Sequence, residues 1–112
     1  MSETWVKEVP FAVTVTDKTG NIIEMNDLSR ATFEKYGGKD LIGRNLEEVH
    51  SEHACKKIAE MIASKTANSY TIEKNGVKKL IYQTPWYQDG EYAGLVELSM
   101  IIPVEMPHYV RT

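Results

Sequence analysis

Several features that would identify particular protein classes are scarce in this 112-residue sequence. It has one cysteine, Cys55, which excludes an internal disulfide framework and is typical of a reducing compartment. No stretch approaches the ~18 consecutive apolar residues of a membrane helix, and the N-terminus has no apolar run typical of a signal peptide. We therefore expect a cytoplasmic protein with no direct membrane role.

Clusters of basic residues and catalytic motifs are also scarce. The 13 Lys and Arg residues are outnumbered by 16 Asp and Glu and are scattered along the chain, so we expect no nucleic-acid binding. There is no phosphate-cradling Gly-rich loop and no Gly-x-Ser-x-Gly elbow, and the neighbouring Glu47 and Glu48 would point apart. We expect no enzymatic activity.

The strongest positive signal lies in the second half of the chain. Three extended runs are separated by Asn75-Gly76 and Asp89-Gly90, which are typical hairpin turns, so an antiparallel meander is predicted. Two-residue loops would pair Tyr82 with Glu97, whereas three-residue loops would pair it with Val96. We favour the three-residue register because it collects the large apolar side chains on one face: Tyr70, Ile72, Leu80, Tyr82, Trp86, Val96, Leu98 and Met100.

The first half of the chain predicts two short strands followed by helices. Alternation over residues 11–16 and a turn at 17–20 indicate a hairpin. Asn26 is placed to cap a helix from Asp27 to about Tyr36, a short turn of helix is expected at 39–42, and Ser51 is placed to cap a longer helix. We divide the chain into an N-terminal helical segment (1–9), a single α+β domain (10–102) and an extended tail (103–112).

This order of elements resembles that of PAS domains, and two motifs agree with it. The segment 16–22, Thr-Asp-Lys-Thr-Gly-Asn-Ile, is similar to the family's T-D-x-x-G-x-I hairpin, and 40–46 is similar to its E-L-I-G-R-x-L segment. The resemblance implies a five-stranded antiparallel sheet in the order 2-1-5-4-3, with helices packed on one face around a small cavity. It also implies a role as a sensory signalling module.

The sequence departs from the family in two ways. Photoactive members carry Gly-x-Asn-Cys-Arg, but Leu46 follows Asn45 here, so the motif that supports flavin attachment is absent. Pro103 stands where many members begin a signalling helix, and no effector segment follows it. We therefore expect the signal to pass to an unknown downstream protein by association.

Histidines offer the only candidate ligands for haem. Haem-binding relatives use a histidine of the long helix, and His50 and His53 lie near the start of that helix here, where solvent exposure is the more common outcome. These two residues and Cys55 have no complementary pair elsewhere, so a structural zinc site is not predicted. No motif supports a haem or flavin cofactor.

The apolar face of the meander is predicted to form the floor of a small-molecule pocket. Its buried hydroxyl and indole groups would need hydrogen-bond partners, which a ligand could supply. The alternative is a ligand-free interaction adaptor whose core is filled by its own side chains. The candidate pocket residues are Phe33, Ile58, Ile62, Tyr70, Tyr82, Thr84, Trp86 and Met100.

The opposite sheet face is predicted to carry an interface. Its apolar positions, Ile81, Leu95 and Ile101, need cover, which Trp5, Val6 and Val9 could provide within one chain or in a homodimer.

Overall fold

The computed structural model describes residues 4–112. Four α-helices and five β-strands occur in this range, together with two 3₁₀ turns, Glu34–Tyr36 and Gly38–Leu41. In chain order the elements are α1 (Thr4–Glu8), β1 (Ala12–Thr16), β2 (Ile22–Met25), α2 (Asp27–Thr32), α3 (Leu46–Val49), α4 (Glu52–Ser64), β3 (Asn68–Lys74), β4 (Val77–Gln88) and β5 (Glu91–Ile102).

The strands form one antiparallel sheet in the order β2-β1-β5-β4-β3, which confirms the predicted fold class. β5 therefore lies at the centre, between β1 and β4. The long pairing of β4 with β5 follows from the Asp89-Gly90 turn, where both residues have positive φ as a type I′ hairpin requires.

The register of the meander differs from the predicted one. Tyr70 pairs with Ile81, which corresponds to a two-residue Asn75-Gly76 loop, so the three-residue register is wrong for β3 and β4. Tyr82 pairs with Leu98, which neither predicted register gives. The reason is a bulge beyond the Asp89-Gly90 loop, where Ala93 is an extra residue between the Tyr87–Tyr92 and Trp86–Gly94 pairs.

Two layers cover the two faces of the sheet. The outer face, which carries Val13, Val15 and Leu98, packs against α1 through Val6. The inner face carries Thr14, Gln83 and Glu97 and is covered by the segment from α2 to α4. A second apolar cluster joins Ile22 and Met25 of β2 to Leu41, with Phe33, Leu46 and Val49 packed against it.

The predicted helix starts are present with their caps. Asn26 Oδ1 accepts from the backbone N–H of Ser29 at the start of α2, and Ser51 Oγ accepts from Ala54 N–H at the start of α4. α2 is shorter than predicted: it ends at Thr32, and the chain continues in the two 3₁₀ turns, which are separated by Gly37 with positive φ. Within residues 4–112, the helices are too short and too polar to cross a bilayer.

Candidate functional site

A cavity of about 400 Å³ lies between the inner face of the sheet and the helices. Its wall is mostly apolar, as in typical small-molecule sites. The sheet contributes Ile22, Met25 and Leu95, and the helical segment contributes Phe33, Leu41, Leu46, Val49, Ile58 and Met61. A space of this size exists because α4 contacts the sheet through only part of its surface, with Met61 as its one buried side chain.

A ladder of polar side chains crosses the floor of the cavity. Asn68 of β3 donates from Nδ2 to Gln83 Oε1 at 3.0 Å, and Gln83 donates from Nε2 to Glu97 Oε2 at 2.8 Å. The register aligns these three side chains, because Asn68 pairs with Gln83 and Gln83 pairs with Glu97. We call Asn68, Gln83 and Glu97 the floor ladder. It places one carboxylate beneath the apolar wall, in the middle of the sheet.

Tyr70 lies next to the floor ladder on edge strand β3. Partial burial raises the pKa of its phenol above the ordinary value, and the negative charge of Glu97 raises that pKa further.

Buried hydrogen bonds fix α2 above the floor. Thr14 Oγ1 and Ser29 Oγ are 2.6 Å apart, which joins the inner face of β1 to α2. Asn26 makes four bonds: its Oδ1 accepts from Val13 N–H and Ser29 N–H, and its Nδ2 donates to the carbonyls of Val6 and Phe11. A single amide therefore joins α1, β1 and α2.

The loop before α3 is fixed to the β1–β2 hairpin. Asn45 Nδ2 donates to the Thr19 carbonyl at 2.9 Å and to Asn21 Oδ1 at 3.0 Å, while Asn45 Oδ1 caps α3 by accepting from Glu47 N–H. Backbone bonds between Ile22 and the loop residues Gly43 and Arg44 strengthen this contact. The two sequence motifs are thus joined in space, and together they form one wall of the cavity.

Charged and polar side chains line the exposed rim of the cavity. Arg44 Nε donates to Glu48 Oε2 at 2.6 Å, and both side chains are half-exposed. The Arg44 hydrogen bond lowers the pKa of Glu48. His50 also lines the cavity, with its Nδ1 3.0 Å from the Leu46 carbonyl oxygen. His53 is exposed on α4 and is not among the lining residues.

The structure brings only some of the predicted pocket residues to the cavity. Phe33 and Ile58 line it, whereas Ile62, one turn further along α4, does not. Tyr70 is on the inner side of edge strand β3 but is exposed and does not line the cavity. Four predicted residues lie on the outer face and so cannot form the floor, which corrects their assignment: Tyr82, Thr84, Trp86 and Met100.

Trp86 and Thr84 satisfy their polar side-chain groups within the protein. The Trp86 indole Nε1 donates to the Thr16 carbonyl at 2.9 Å, and Thr84 Oγ1 donates to the Pro85 carbonyl at 3.0 Å. The indole passes over Gly94, its cross-strand partner. These groups therefore need no ligand as a partner.

The predicted interface residues are also distributed differently. Val6 and Val9 cover the outer face, and Trp5 is 60% exposed. Ile81 and Leu95 are buried on the inner face, and Leu95 lines the cavity, so they are not an interface for the N-terminal segment. The pocket and the interface were thus each predicted on the wrong face of the sheet. Ile101 is 66% exposed near the end of β5.

Sequence reasoning missed Glu97, Gln83 and Leu95 as cavity residues. The available signal was the alternation of Gln83, Glu97 and Ser99 along β4 and β5, on the face that was predicted to carry the interface. The residues described, 4–112, contain no group of three or more His, Cys, Asp or Glu that could hold a metal ion.

Comparison with solved structures identifies the fold. A C-terminal domain from Streptococcus mutans matches with a TM-score of 0.71 at 15% identity, over 86% of this chain and 78% of that one. A sensory box sensor histidine kinase from Vibrio cholerae matches with a TM-score of 0.64 at 12% identity, over 88% and 87%. The PAS domain of the histidine kinase ThkA matches with a TM-score of 0.64 at 18% identity, over 80% and 97%.

No protein-family model matches the sequence, and no curated protein matches it either. The structures named above are all less than 20% identical to this chain, so the comparison establishes the fold. The chain has a PAS-like fold.

Proposed function

We propose that this protein is a non-enzymatic sensory signalling module that binds a small molecule in its internal cavity and signals by protein association. The observation that carries the proposal is the cavity itself, which is about 400 Å³ in volume and has a mostly apolar wall with a few polar groups. Two of the similar structures belong to histidine kinases, which supports a sensory role.

The alternative, an adaptor with a self-filled core, is less well supported. Such a core would place large side chains in the space between the sheet and α4. The large outer-face residues predicted to do so, Tyr82 and Trp86, instead point away from that space. The residues that do face it leave an opening that a ligand could occupy.

A cavity-filling substitution tests ligand binding. Ile58 lines the cavity from α4, so Ile58→Trp should occupy the space, whereas Ile62→Trp changes a residue outside the lining and is the matched control. We expect native mass spectrometry of the freshly purified protein to show a bound small molecule in the wild type and in Ile62→Trp, but not in Ile58→Trp. Absorbance from 350 to 600 nm would reveal a haem or flavin ligand.

A ligand-free wild-type mass, together with no binding in a small-molecule screen, would contradict the ligand-binding role. In that case the adaptor function would be the better explanation.

Association is proposed to occur as a homodimer through the outer face. α1 covers the part of this face around Val13 and Val15, and leaves Leu80, Tyr82 and Met100 outside the packed cluster. Tyr82 is 39% exposed, and the indole of Trp5 on α1 is exposed as well. In a two-fold dimer the same surface of each protomer would form the interface. The cytoplasmic location and the downstream signalling protein stay predictions.

A further inference from the structure

We propose that the cavity selects an amphiphilic ligand with an apolar body and a positively charged amine, and that Glu97 binds the amine. This inference rests on the proposed ligand-binding function and specifies the chemistry of the ligand. The observations that carry it are the position of Glu97, the direction of the hydrogen bonds in the floor ladder, and the lack of a compensating positive charge.

Glu97 is held at the centre of the sheet. It pairs with Thr14 of β1 on one side and with Gln83 of β4 on the other, so its side chain faces the cavity from the middle of the floor. Among the described residues, the only hydrogen bond to its carboxylate comes from Gln83. An ionised carboxylate can accept about four hydrogen bonds, so most of its capacity is free.

The donors of the floor ladder all point toward Glu97. The Asn68 side-chain amide donates to the side-chain oxygen Oε1 of Gln83. The side-chain NH2 of Gln83 is therefore free to donate to Glu97. This order matches a carboxylate that only accepts hydrogen bonds. The ladder therefore orients an acceptor toward the cavity, and a ligand must supply the donor.

No positive side chain neutralises Glu97 within residues 4–112. The two ion pairs found there are Lys7–Asp27 and Arg44–Glu48. Arg44 is the one basic side chain with a permanent charge that lines the cavity, and its charge is already paired with Glu48 at the rim. The floor of the cavity thus carries an uncompensated negative charge.

The apolar wall and the Glu97 charge together make the cavity selective for a positively charged ligand. A ligand that fills the apolar space displaces water from the Glu97 carboxylate. A neutral apolar ligand leaves that carboxylate without a replacement for the water, and an acidic ligand adds repulsion. An amine replaces the water with a charge-assisted hydrogen bond, while its apolar body contacts Phe33, Ile58 and Met61.

Three probes of one shape test the selection: 2-phenylethylamine, 2-phenylethanol and 3-phenylpropionate. We expect NMR titration of the full chain at pH 7 to show the amine binding about tenfold more tightly than the alcohol, with the acid weakest. Glu97→Gln should remove the preference for the amine while retaining binding of the alcohol. Glu91→Gln, at the exposed start of β5, is the matched control and should retain the preference.

The wild-type probe series tests the proposal even if Glu97→Gln does not fold. Equal or tighter binding of the alcohol or the acid would overturn the inference and leave the ligand-binding function intact. Retention of the amine preference in Glu97→Gln would have the same effect. If no probe binds, a co-purified ligand with a basic nitrogen would support the inference and one without it would overturn it. A ligand-free protein that binds no probe would overturn both proposals.

Discussion

Asn26 joins more segments of the fold than any neighbouring side chain on β2 or α2. Its four hydrogen bonds reach α1, β1 and the first turn of α2, and the residue is buried. Loss of a buried amide leaves its former partners unsatisfied, which costs more than the loss of an exposed bond. The residue thus acts as a structural centre, although in sequence it appears only as a helix cap.

We predict that Asn26→Ala lowers the free energy of unfolding by about 3 kcal/mol, because it removes a helix cap and leaves buried backbone groups unpaired. Urea denaturation followed by circular dichroism would measure this loss. Asn26→Asp keeps the two accepted bonds, but its second carboxylate oxygen would face the carbonyl oxygens of Val6 and Phe11, so this variant should also lose stability. A wild-type midpoint for Asn26→Ala would show that the four bonds contribute little.

Glycine is required at position 94 because the Thr16 backbone and the Trp86 side chain both approach it closely. A Cβ at this position would collide with the Thr16 carbonyl oxygen and lie 2.7 Å from Trp86 Nε1. We predict that Gly94→Ala destabilises the protein by about 3 kcal/mol or more, since the bond from Trp86 to Thr16 must break or the strands must separate.

Thermal unfolding of Gly94→Ala should be compared with that of Gly90→Ala. Gly90 also has positive φ, but a Cβ there meets nothing within 4 Å, so this control reports the backbone strain alone. Equal losses in the two variants would show that the close approach at Gly94 is unimportant.

At the scale of elements, the carboxylate of Asp17 stabilises the turn of the β1–β2 hairpin through hydrogen bonds. Partial burial raises the pKa of Asp17, but hydrogen bonds from Thr19 and Asn21 together outweigh burial, so the pKa lies below its ordinary value. Asp17 therefore stabilises the fold above the pKa it has in the unfolded chain. This contribution is lost as the pH falls through the lower pKa of the folded state.

We predict that Asp17→Asn reduces stability at pH 7 and flattens the decline in stability as the pH falls below about 4. Urea denaturation over pH 2.5–7 would measure both effects. Asp89→Asn, in the exposed turn between β4 and β5, is the matched control. Parallel pH profiles for the wild type and Asp17→Asn would contradict a stabilising role for the Asp17 charge.

The sequence predicted the elements better than their register. Turns and caps are local: Asn75-Gly76, Asp89-Gly90, Asn26 and Ser51 act through backbone groups a few residues away, so their signals can be read directly. The bulge at Ala93 lies beside the Trp86–Gly94 pair, where Trp86 contacts Thr16 on a distant strand. No short window of sequence contains that information.

The candidate site was predicted less well for a related reason. Both faces of the meander carry apolar side chains, because α1 covers one and the cavity lies against the other. Hydrophobicity alone therefore cannot say which face is the floor. Phe33 and Ile58 were placed at the cavity as apolar residues of the helices above the sheet, whereas Trp86 was assigned to the floor through the predicted face of the meander.

At the scale of the whole molecule, the sheet separates two tasks. Its inner face holds the cavity and the floor ladder, and its outer face carries α1 and an exposed apolar surface. β5 belongs to both, since Glu97 faces the cavity while the neighbouring Leu98 packs in the α1 cluster. A ligand that shifts β5 would therefore alter the surface proposed for association.

We predict that the wild-type protein is a dimer at tens of micromolar and that Trp5→Ala weakens the dimer by about tenfold or more, because a buried tryptophan is a typical interface anchor. Sedimentation velocity over a concentration series would measure the change. Tyr36→Ala is the matched control: Tyr36 is an aromatic of similar exposure, 64%, but lies at the rim of the cavity instead of the outer face. A monomeric wild type would remove the dimer from the proposed function. An equal effect of both substitutions would show that the outer face is not the specific interface, and circular dichroism would confirm that each variant is folded.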